Sequence, residues 1–217
     1  AALCLGLLLC VLTGVLVGTV FAAVALTAMS FGVSLAAAVM RRGYPHRDLG
    51  LCNLVTLLRL ALTSTLVAAL VVSISGWIVL GIALFALALD GIDGWLARLG
   101  GHVSDFGARF DMEVDAALGL VLALLAWSSG AVGAVVLLLG LPRYIFVAAS
   151  AIWPWMAKPL PERLGRKIVC VIQIMALVIL QAPIVDGPLA LAILMIASVA
   201  LVWSFGRDVL WLWRTRP

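Results

Sequence analysis

Long apolar stretches separated by short polar breaks fill the chain after residue 50. A helix that crosses a bilayer core of about 30 Å needs about 20 apolar residues. Six stretches qualify, and they lie near residues 54–73, 76–98, 105–128, 131–153, 166–183 and 187–208. Serine, glycine and proline mark the turns at 73–76, 128–130 and 183–188. The pattern predicts an all-α polytopic membrane protein with a core of six helices.

The first forty residues are apolar and uncharged, and at 1.5 Å per helical residue they are long enough to cross a bilayer twice. A hairpin that turns near 14–19 or near 27–32 would give eight spans in all, and one long or tilted helix would give seven. Two crossings are favoured. Without a basic first segment and with so long an apolar run, this region is interpreted as retained rather than as a signal peptide. We therefore predict an N-terminal transmembrane extension at 1–40 and one domain at 41–217.

Composition and charge agree with a membrane protein. Hydrophobic residues make up 65% of the chain and charged residues 11%, whereas a soluble domain carries about 25% charged residues. Apart from Arg143, the basic residues fall in or beside alternate connections: Arg41, Arg42, Arg47 and Arg59, then Arg98 and Arg109, then Lys158, Arg163, Arg166 and Lys167, and finally Arg207, Arg214 and Arg216. The three other connections have no lysine or arginine. The positive-inside rule therefore predicts that the basic loops and the C-terminus face the cytoplasm.

Four of the ten acidic residues share one window of the sequence. Asp90 and Asp93 are three residues apart and Asp111 and Asp115 are four apart, so each pair projects from one face of its helix. A short connection makes the two helices antiparallel neighbours, and both pairs then lie near the same membrane surface. Carboxylates gathered in a low-dielectric groove repel one another unless cations bind. The spacing predicts a site for hard divalent ions, Mg²⁺ or Mn²⁺, with Ca²⁺ also possible.

Two other interpretations of the aspartates compete with a metal site. The carboxylates could form ion pairs with Arg98 and Arg109 in a solvated turn. They could also line a cation path in a transporter or channel, but such sites tend to lie near the membrane midplane, often between repeats, and this chain has no evident repeat. Gly94 and Gly107 would let a phosphate or base approach the backbone, although small residues also serve helix packing in membranes.

The window as a whole resembles the motif of the CDP-alcohol phosphatidyltransferase family, which is D-x-x-D-G-x-x-A-R-x8-G-x3-D-x3-D. Every specified position is matched, by Asp90, Asp93, Gly94, Ala97, Arg98, Gly107, Asp111 and Asp115. The wider resemblance covers about residues 50–208, the length of the family's six-helix core, and leaves the first forty residues outside. Within the family the chain resembles phosphatidylglycerophosphate and phosphatidylinositol-phosphate synthases.

The resemblance implies a two-metal enzyme, a homodimer, that takes CDP-diacylglycerol and a small hydroxyl acceptor and has no nucleic-acid partner. It implies that Asp90, Asp93, Asp111 and Asp115 bind the metals and that Asp115 is also the general base. It further implies a nucleotide pocket lined by Gly94, Ala97, Arg98 and Gly107. Asn53, Thr56 and Arg59 resemble an N-x-x-T-x-x-R segment near the nucleotide phosphates, although Cys52 stands where many relatives have proline.

The acceptor is suggested by basic residues in the second half of the chain. Arg143, Arg163, Arg166 and Lys167 favour a phosphorylated acceptor, such as glycerol 3-phosphate or inositol phosphate. Arg143 could instead pair with an active-site aspartate, because a cation at membrane depth needs an anionic partner, and the loop residues could serve only as positive-inside anchors. Choline, serine and inositol acceptors stay open. Trp153 and Trp155 could face a choline cation, but interfacial tryptophans are usually belt residues.

Overall fold

A computed structural model describes residues 7–8, 11–12, 15–40, 50–100, 105–158, 160 and 164–215, with the backbone alone at 39–40, 50–52, 92–100, 105–106, 157 and 164. The described residues form helices and turns without a strand, as predicted. The helices are α1 (Thr19–Met40), α2 (Gly50–Ala69), α3 (Gly76–Gly100), α4 (Asp105–Ser128), α5 (Leu137–Gly140), α6 (Pro142–Ile152), α7 (Leu164–Ile179) and α8 (Gly187–Arg214). Short 3₁₀ helices lie at Ala134–Val136 and Pro154–Ala157.

The chain divides into two compact units, Ala1–Val121 and Leu122–Pro217. In the first unit, α2 packs against both α1 and α3. Its apolar side chains also meet α4, where Leu57 and Leu60 form a buried cluster with Val114. Helix α2 is therefore the central element of this unit among the described residues.

The buried face of α2 carries hydroxyl groups as well as apolar side chains. Thr63, Ser64 and Thr65 are each at most 3% exposed. Their hydroxyls donate to the carbonyl oxygens four residues earlier, at 2.9, 2.8 and 3.0 Å. A buried polar group is tolerated when it is hydrogen-bonded, and here the helix satisfies these groups by itself. Neighbouring helices can therefore pack on α2 without supplying polar partners at these positions.

In the N-terminal region the structure decides between the two predicted turns. Helix α1 is continuous through residues 27–32, so the prediction of a hairpin there is wrong: the stretch has no proline and its glycine is accommodated within the helix. The helical path is interrupted at Gly18, whose φ of +137° is a conformation open to glycine and rare for other residues. Gly18 lies inside the other predicted turn, at 14–19.

In the second unit, the segment predicted as one span at 131–153 is bent. Residues Ala134–Gly140 and Pro142–Ile152 form two helical pieces at 65° to each other. Pro142 is at the start of α6, where its missing N–H costs nothing, but its ring prevents α5 from continuing straight through. The prediction of a single continuous helix is wrong at this point.

Side-chain amides connect elements of the second unit. Gln181 is buried and its Nε2 donates to the carbonyl oxygens of Leu122, at 3.0 Å, and Leu177, at 2.9 Å. Gln173 Nε2 donates to the carbonyl oxygen of Leu139. Helix α7 packs along α8. These bonds satisfy polar side chains that face protein instead of lipid.

Two of the described helices are long and apolar enough to cross a membrane on their own, Thr19–Ala38 and Gly187–Arg214, and the bent pair brings the number to three if it counts as one span. Shorter apolar helices lie at Asn53–Ala69 and Gly76–Gly91. The apolar sequence of helix α4 is interrupted by charged residues, including Asp111 and Asp115. Charged groups therefore enter the helices that were predicted as spans, and they concentrate in α4.

The contact between α1 and α2 depends on the absence of a side chain at Gly32. A Cβ atom built there would lie 2.8 Å from Leu60 Cδ1, and Leu60 is buried in the cluster below α4. We expect Gly32→Val to overpack this contact and lower the free energy of unfolding by about 1–3 kcal/mol. Thermal unfolding in detergent, followed by tryptophan fluorescence, measures the loss.

Gly81→Val is the matched control. Gly81 is also inside a helix, but apart from its chain neighbours and its own helix backbone no described atom lies within 4 Å of the position that a Cβ would take there. Equal melting temperatures for the two variants would contradict the close contact between α1 and α2.

Candidate metal centre

Three carboxylates from α3 and α4 converge at one place. Asp90 belongs to α3, and Asp111 and Asp115 are one turn apart on α4. Each offers an oxygen, and these atoms all lie within 4.8 Å of one another. The side chains are 34 to 41% exposed, so an ion can reach them. The predicted convergence of the two aspartate pairs therefore holds for three of the four residues.

The fourth aspartate, Asp93, has a described backbone on α3, but its side chain lies outside the described residues. The same is true of Gly94, Ala97 and Arg98. Helix α3 runs unbroken to Gly100. Asp93 therefore follows Asp90 by three helical residues, the spacing that puts two side chains on one face. Its place in the cluster stays a prediction.

A buried arginine holds the three carboxylates together. The Arg59 side chain is 1% exposed and extends from α2. Its Nη1 lies 3.0 Å from Asp90 Oδ1 and 2.5 Å from Asp111 Oδ1, and its Nη2 donates to Asp115 Oδ1. The planar, multiply donating guanidinium suits such bridging better than a lysine ammonium would. One side chain thus connects α2, α3 and α4.

These ion pairs bear on the alternative interpretation in which the aspartates pair with Arg98 and Arg109. The carboxylates are paired, but with Arg59 rather than with Arg109, which is an exposed side chain on α4. The sequence suggested no such link, since Arg59 is 52 residues from Asp111 and only packing brings them together. The role predicted for Arg59 beside nucleotide phosphates stays a prediction, and here its guanidinium faces the aspartates.

The other predicted nucleotide residues lie near this site along their helices. Asn53 and Thr56 precede Arg59 on α2 at spacings of three, and they are 6% and 1% exposed. Gly107 is one turn before Asp111 on α4. Residues at spacings of three and four share a helix face, so Asn53, Thr56 and Arg59 line one buried side of α2.

The donor set fits divalent metal ions. All of the clustered ligand atoms are carboxylate oxygens, which Mg²⁺ and Mn²⁺ prefer. Three carboxylates and one guanidinium leave two formal negative charges uncompensated. One oxygen of each carboxylate lies within 4.8 Å of the other two, close enough for the three to share an ion. The residues present can therefore hold the metal.

In the second unit, the predicted acceptor residues are distributed over α6 and α7. Arg143 is half-buried near the start of α6, and Lys167 is exposed on α7. Arg166 Nε lies 3.4 Å from Asp208 Oδ2 of α8, and Asp208 is 5% exposed. Arg163 lies outside the described residues, as do Arg41, Arg42 and Arg47. The pair of Arg166 and Asp208 thus joins α7 to α8 by charge.

Arg207 is a candidate that the sequence pattern indicated only as an orientation charge. Its guanidinium stacks on Trp203, 4.9 Å from the ring centroid. Its Nε and Nη2 are buried and have no hydrogen-bond partner in the described part of the chain. Gly165 lies beside it, and a Cβ built there would be in ordinary van der Waals contact with Nη2, at 3.6 Å. The signal in the sequence was the charged pair of Arg207 and Asp208 inside an otherwise apolar helix.

Comparison with known proteins gives a family but no individual relative. A search of curated proteins and a search of solved structures each found no match. The model of the CDP-alcohol phosphatidyltransferase family matches residues 49–204, a range that contains all of the clustered aspartates. Members of this family are membrane proteins that use divalent metals to transfer a phosphatidyl group from a CDP-alcohol to an acceptor alcohol. With most of its length matched and the aspartates gathered as this chemistry requires, the chain belongs to the CDP-alcohol phosphatidyltransferase family.

Proposed function

We propose that this enzyme transfers a phosphatidyl group from CDP-diacylglycerol to the hydroxyl of a small phosphorylated alcohol, such as glycerol 3-phosphate or inositol phosphate, and releases CMP. The observation that carries the proposal is the convergence of carboxylate oxygens of Asp90, Asp111 and Asp115 within 4.8 Å of one another. A carboxylate cluster of this kind is expensive in a membrane protein and indicates a functional site.

The metal ligands proposed are Asp90, Asp93, Asp111 and Asp115. When bound there, two Mg²⁺ or Mn²⁺ ions would neutralise the diphosphate and make CMP a good leaving group. The chain contributes the orientation of these ligands, which comes from the one-turn spacing on each helix and from the packing of α2 against α3. Asn53, Thr56, Arg59, Gly94, Ala97, Arg98 and Gly107 are proposed to line the nucleotide pocket.

Asp115 is proposed as the general base. Its carboxylate accepts the proton of the acceptor hydroxyl as the hydroxyl oxygen attacks the β-phosphorus, which bears the lipid. The new phosphorus–oxygen bond replaces the bond to the bridging oxygen, which leaves with CMP. Asp115 is partly exposed, at 41%, so an acceptor can approach it.

The proposal of a phosphorylated acceptor is supported by the arginines of the second unit. Arg207 presents buried N–H groups that lack a hydrogen-bond partner among the described residues, and a phosphate can accept from them in the paired manner that guanidinium groups favour. Arg166 of α7 also belongs to the proposed pocket, where its guanidinium faces the carboxylate of Asp208. We include Arg143, Arg163 and Lys167 in this acceptor pocket on the resemblance alone.

Topology and assembly complete the proposal. The basic connections put the active site at the cytoplasmic face, where CDP and a phosphorylated alcohol are dissolved while the acyl chains stay in lipid. The resemblance favours a homodimer. The family match begins at residue 49, which supports the division into an extension at 1–40 and a catalytic domain at 41–217.

A substrate screen tests the function directly. Purified enzyme is incubated with CDP-diacylglycerol, Mg²⁺ or Mn²⁺ and one acceptor at a time, and CMP is measured. We expect CMP release with a phosphorylated acceptor and none after chelation of the metal with EDTA. Release with choline but not with glycerol 3-phosphate or inositol phosphate would overturn the acceptor, and cation flux without CMP release would overturn the enzymatic assignment.

Asp115→Asn tests the general base. The amide keeps the shape of the side chain but cannot take the proton, so we expect the turnover number to fall at least about 100-fold while CDP-diacylglycerol still binds. Stopped assays of CMP and binding of the CDP-lipid measure the two quantities. Glu113→Gln, an exposed neighbour on α4, is the control and should retain turnover; near wild-type turnover in Asp115→Asn would refute the assignment.

Arg207→Gln tests the acceptor pocket. Loss of a charge-assisted hydrogen bond costs about 1.5–3 kcal/mol, so we expect the KM for the phosphorylated acceptor to rise about tenfold or more. The KM for CDP-diacylglycerol should not change. Arg214→Gln removes the same charge from an exposed position on α8 and should change neither value. A rise confined to the CDP-lipid would place Arg207 in the other substrate's site.

A further inference from the structure

The Arg59 guanidinium occupies the position that gives the carboxylate cluster its shape. It lies 3.0 Å from Oδ1 of Asp90 and donates to Oδ1 of Asp111 and to Oδ1 of Asp115. Three carboxylates within 4.8 Å would otherwise repel one another. The guanidinium therefore does electrostatically, with a single charge, what a divalent ion would do with two.

The guanidinium and a metal ion compete for the same ligands. A Mg²⁺ or Mn²⁺ ion binds carboxylate oxygens at about 2.0–2.2 Å, and like-charged groups repel when they share such oxygens. The Arg59 side chain is 1% exposed, so bulk water cannot readily replace a carboxylate as the partner of its guanidinium. Moving the guanidinium from a carboxylate calls for another anion to receive it.

We propose that Arg59 is an internal counter-cation that holds the aspartate cluster assembled before metal binds and is displaced from carboxylate oxygens when metal enters. This proposal rests on the proposed function, because it takes the cluster as the metal site. The exchange makes metal binding weaker than the bare carboxylates would allow. It also couples metal entry to arrival of the substrate's diphosphate, the anion that can receive the displaced guanidinium.

Metal affinity measured directly tests the exchange. Mn²⁺ is titrated into detergent-purified wild type and Arg59→Met, and free Mn²⁺ is followed by electron paramagnetic resonance. In Arg59→Met the guanidinium no longer competes with Mn²⁺ for the carboxylate oxygens. We therefore expect the apparent Kd for Mn²⁺ to fall about tenfold, which corresponds to the loss of one hydrogen bond from a charged donor. Arg109→Met removes an equal charge from an exposed position on α4 and should leave the Kd within about twofold of wild type.

Thermal unfolding gives a second readout that does not depend on turnover. In EDTA, Arg59→Met should melt below wild type, because three clustered carboxylates have lost their cation. Saturating Mn²⁺ should raise its melting temperature more than that of wild type, as linkage to tighter binding requires. Arg59→Lys keeps the charge but has no planar fork, so its Mn²⁺ binding should tighten less than that of Arg59→Met. It provides the test if Arg59→Met does not fold.

The outcomes separate the exchange from the function on which it rests. Equal or weaker Mn²⁺ binding in both Arg59 variants, with wild type binding Mn²⁺ normally, overturns the exchange and leaves the metal site standing. Absence of Mn²⁺ binding in wild type, with CDP-diacylglycerol still bound, overturns the metal site itself and the exchange with it. An equal change in Mn²⁺ affinity in Arg59→Met and Arg109→Met would mean that the change comes from net charge alone, and it would also overturn the exchange.

Discussion

The repulsion among clustered carboxylates is the constraint around which the first unit is arranged. Asp90, Asp111 and Asp115 present oxygens within 4.8 Å of one another, and like charges this close in an apolar protein are stable only with a cation between them. Arg59 supplies one such charge from α2. The helices that carry these four groups must therefore meet at one place, and the apolar contacts of Leu57, Leu60 and Val114 provide the packing that keeps them there.

Helix α2 can carry a buried arginine because its buried hydroxyl groups need no hydrogen-bond partner from neighbouring helices. The hydroxyls of Thr63, Ser64 and Thr65 are satisfied within the helix. A lone guanidinium at 1% exposure would cost far more than these hydroxyls, since a buried charge needs several partners. The aspartates are thus as necessary to the fold around Arg59 as Arg59 is to the aspartates, and the proposed function would depend on the same four side chains as the packing.

Local spacing in the sequence was enough to predict some features of this fold, whereas features that arise from long-range packing were missed. The bounds of α4 and the shared face of Asp111 and Asp115 come from helical periodicity, and the structure confirms both. The pairing of Arg59 joins residues up to 56 positions apart, which no local pattern reveals. The bend before Pro142 was missed because hydropathy registers an apolar residue and not a missing N–H. Arg207 was indicated only by the charge pattern near the end of the chain, which gave no sign of its contact with Trp203.

With Arg207 and Arg166 in the proposed acceptor pocket, electrostatics would discriminate between the acceptors that the family chemistry allows. A choline headgroup carries a fixed positive charge, and a site containing Arg207 and Arg166 would repel it. The buried carboxylate of Asp208 offsets the charge of Arg166, which it faces, and the charge of Arg207 remains. The ring of Trp203, which could otherwise attract a cation, is covered by the Arg207 guanidinium. Among the described residues, Arg207 still has N–H groups without an acceptor, and a phosphate oxygen is the complementary group.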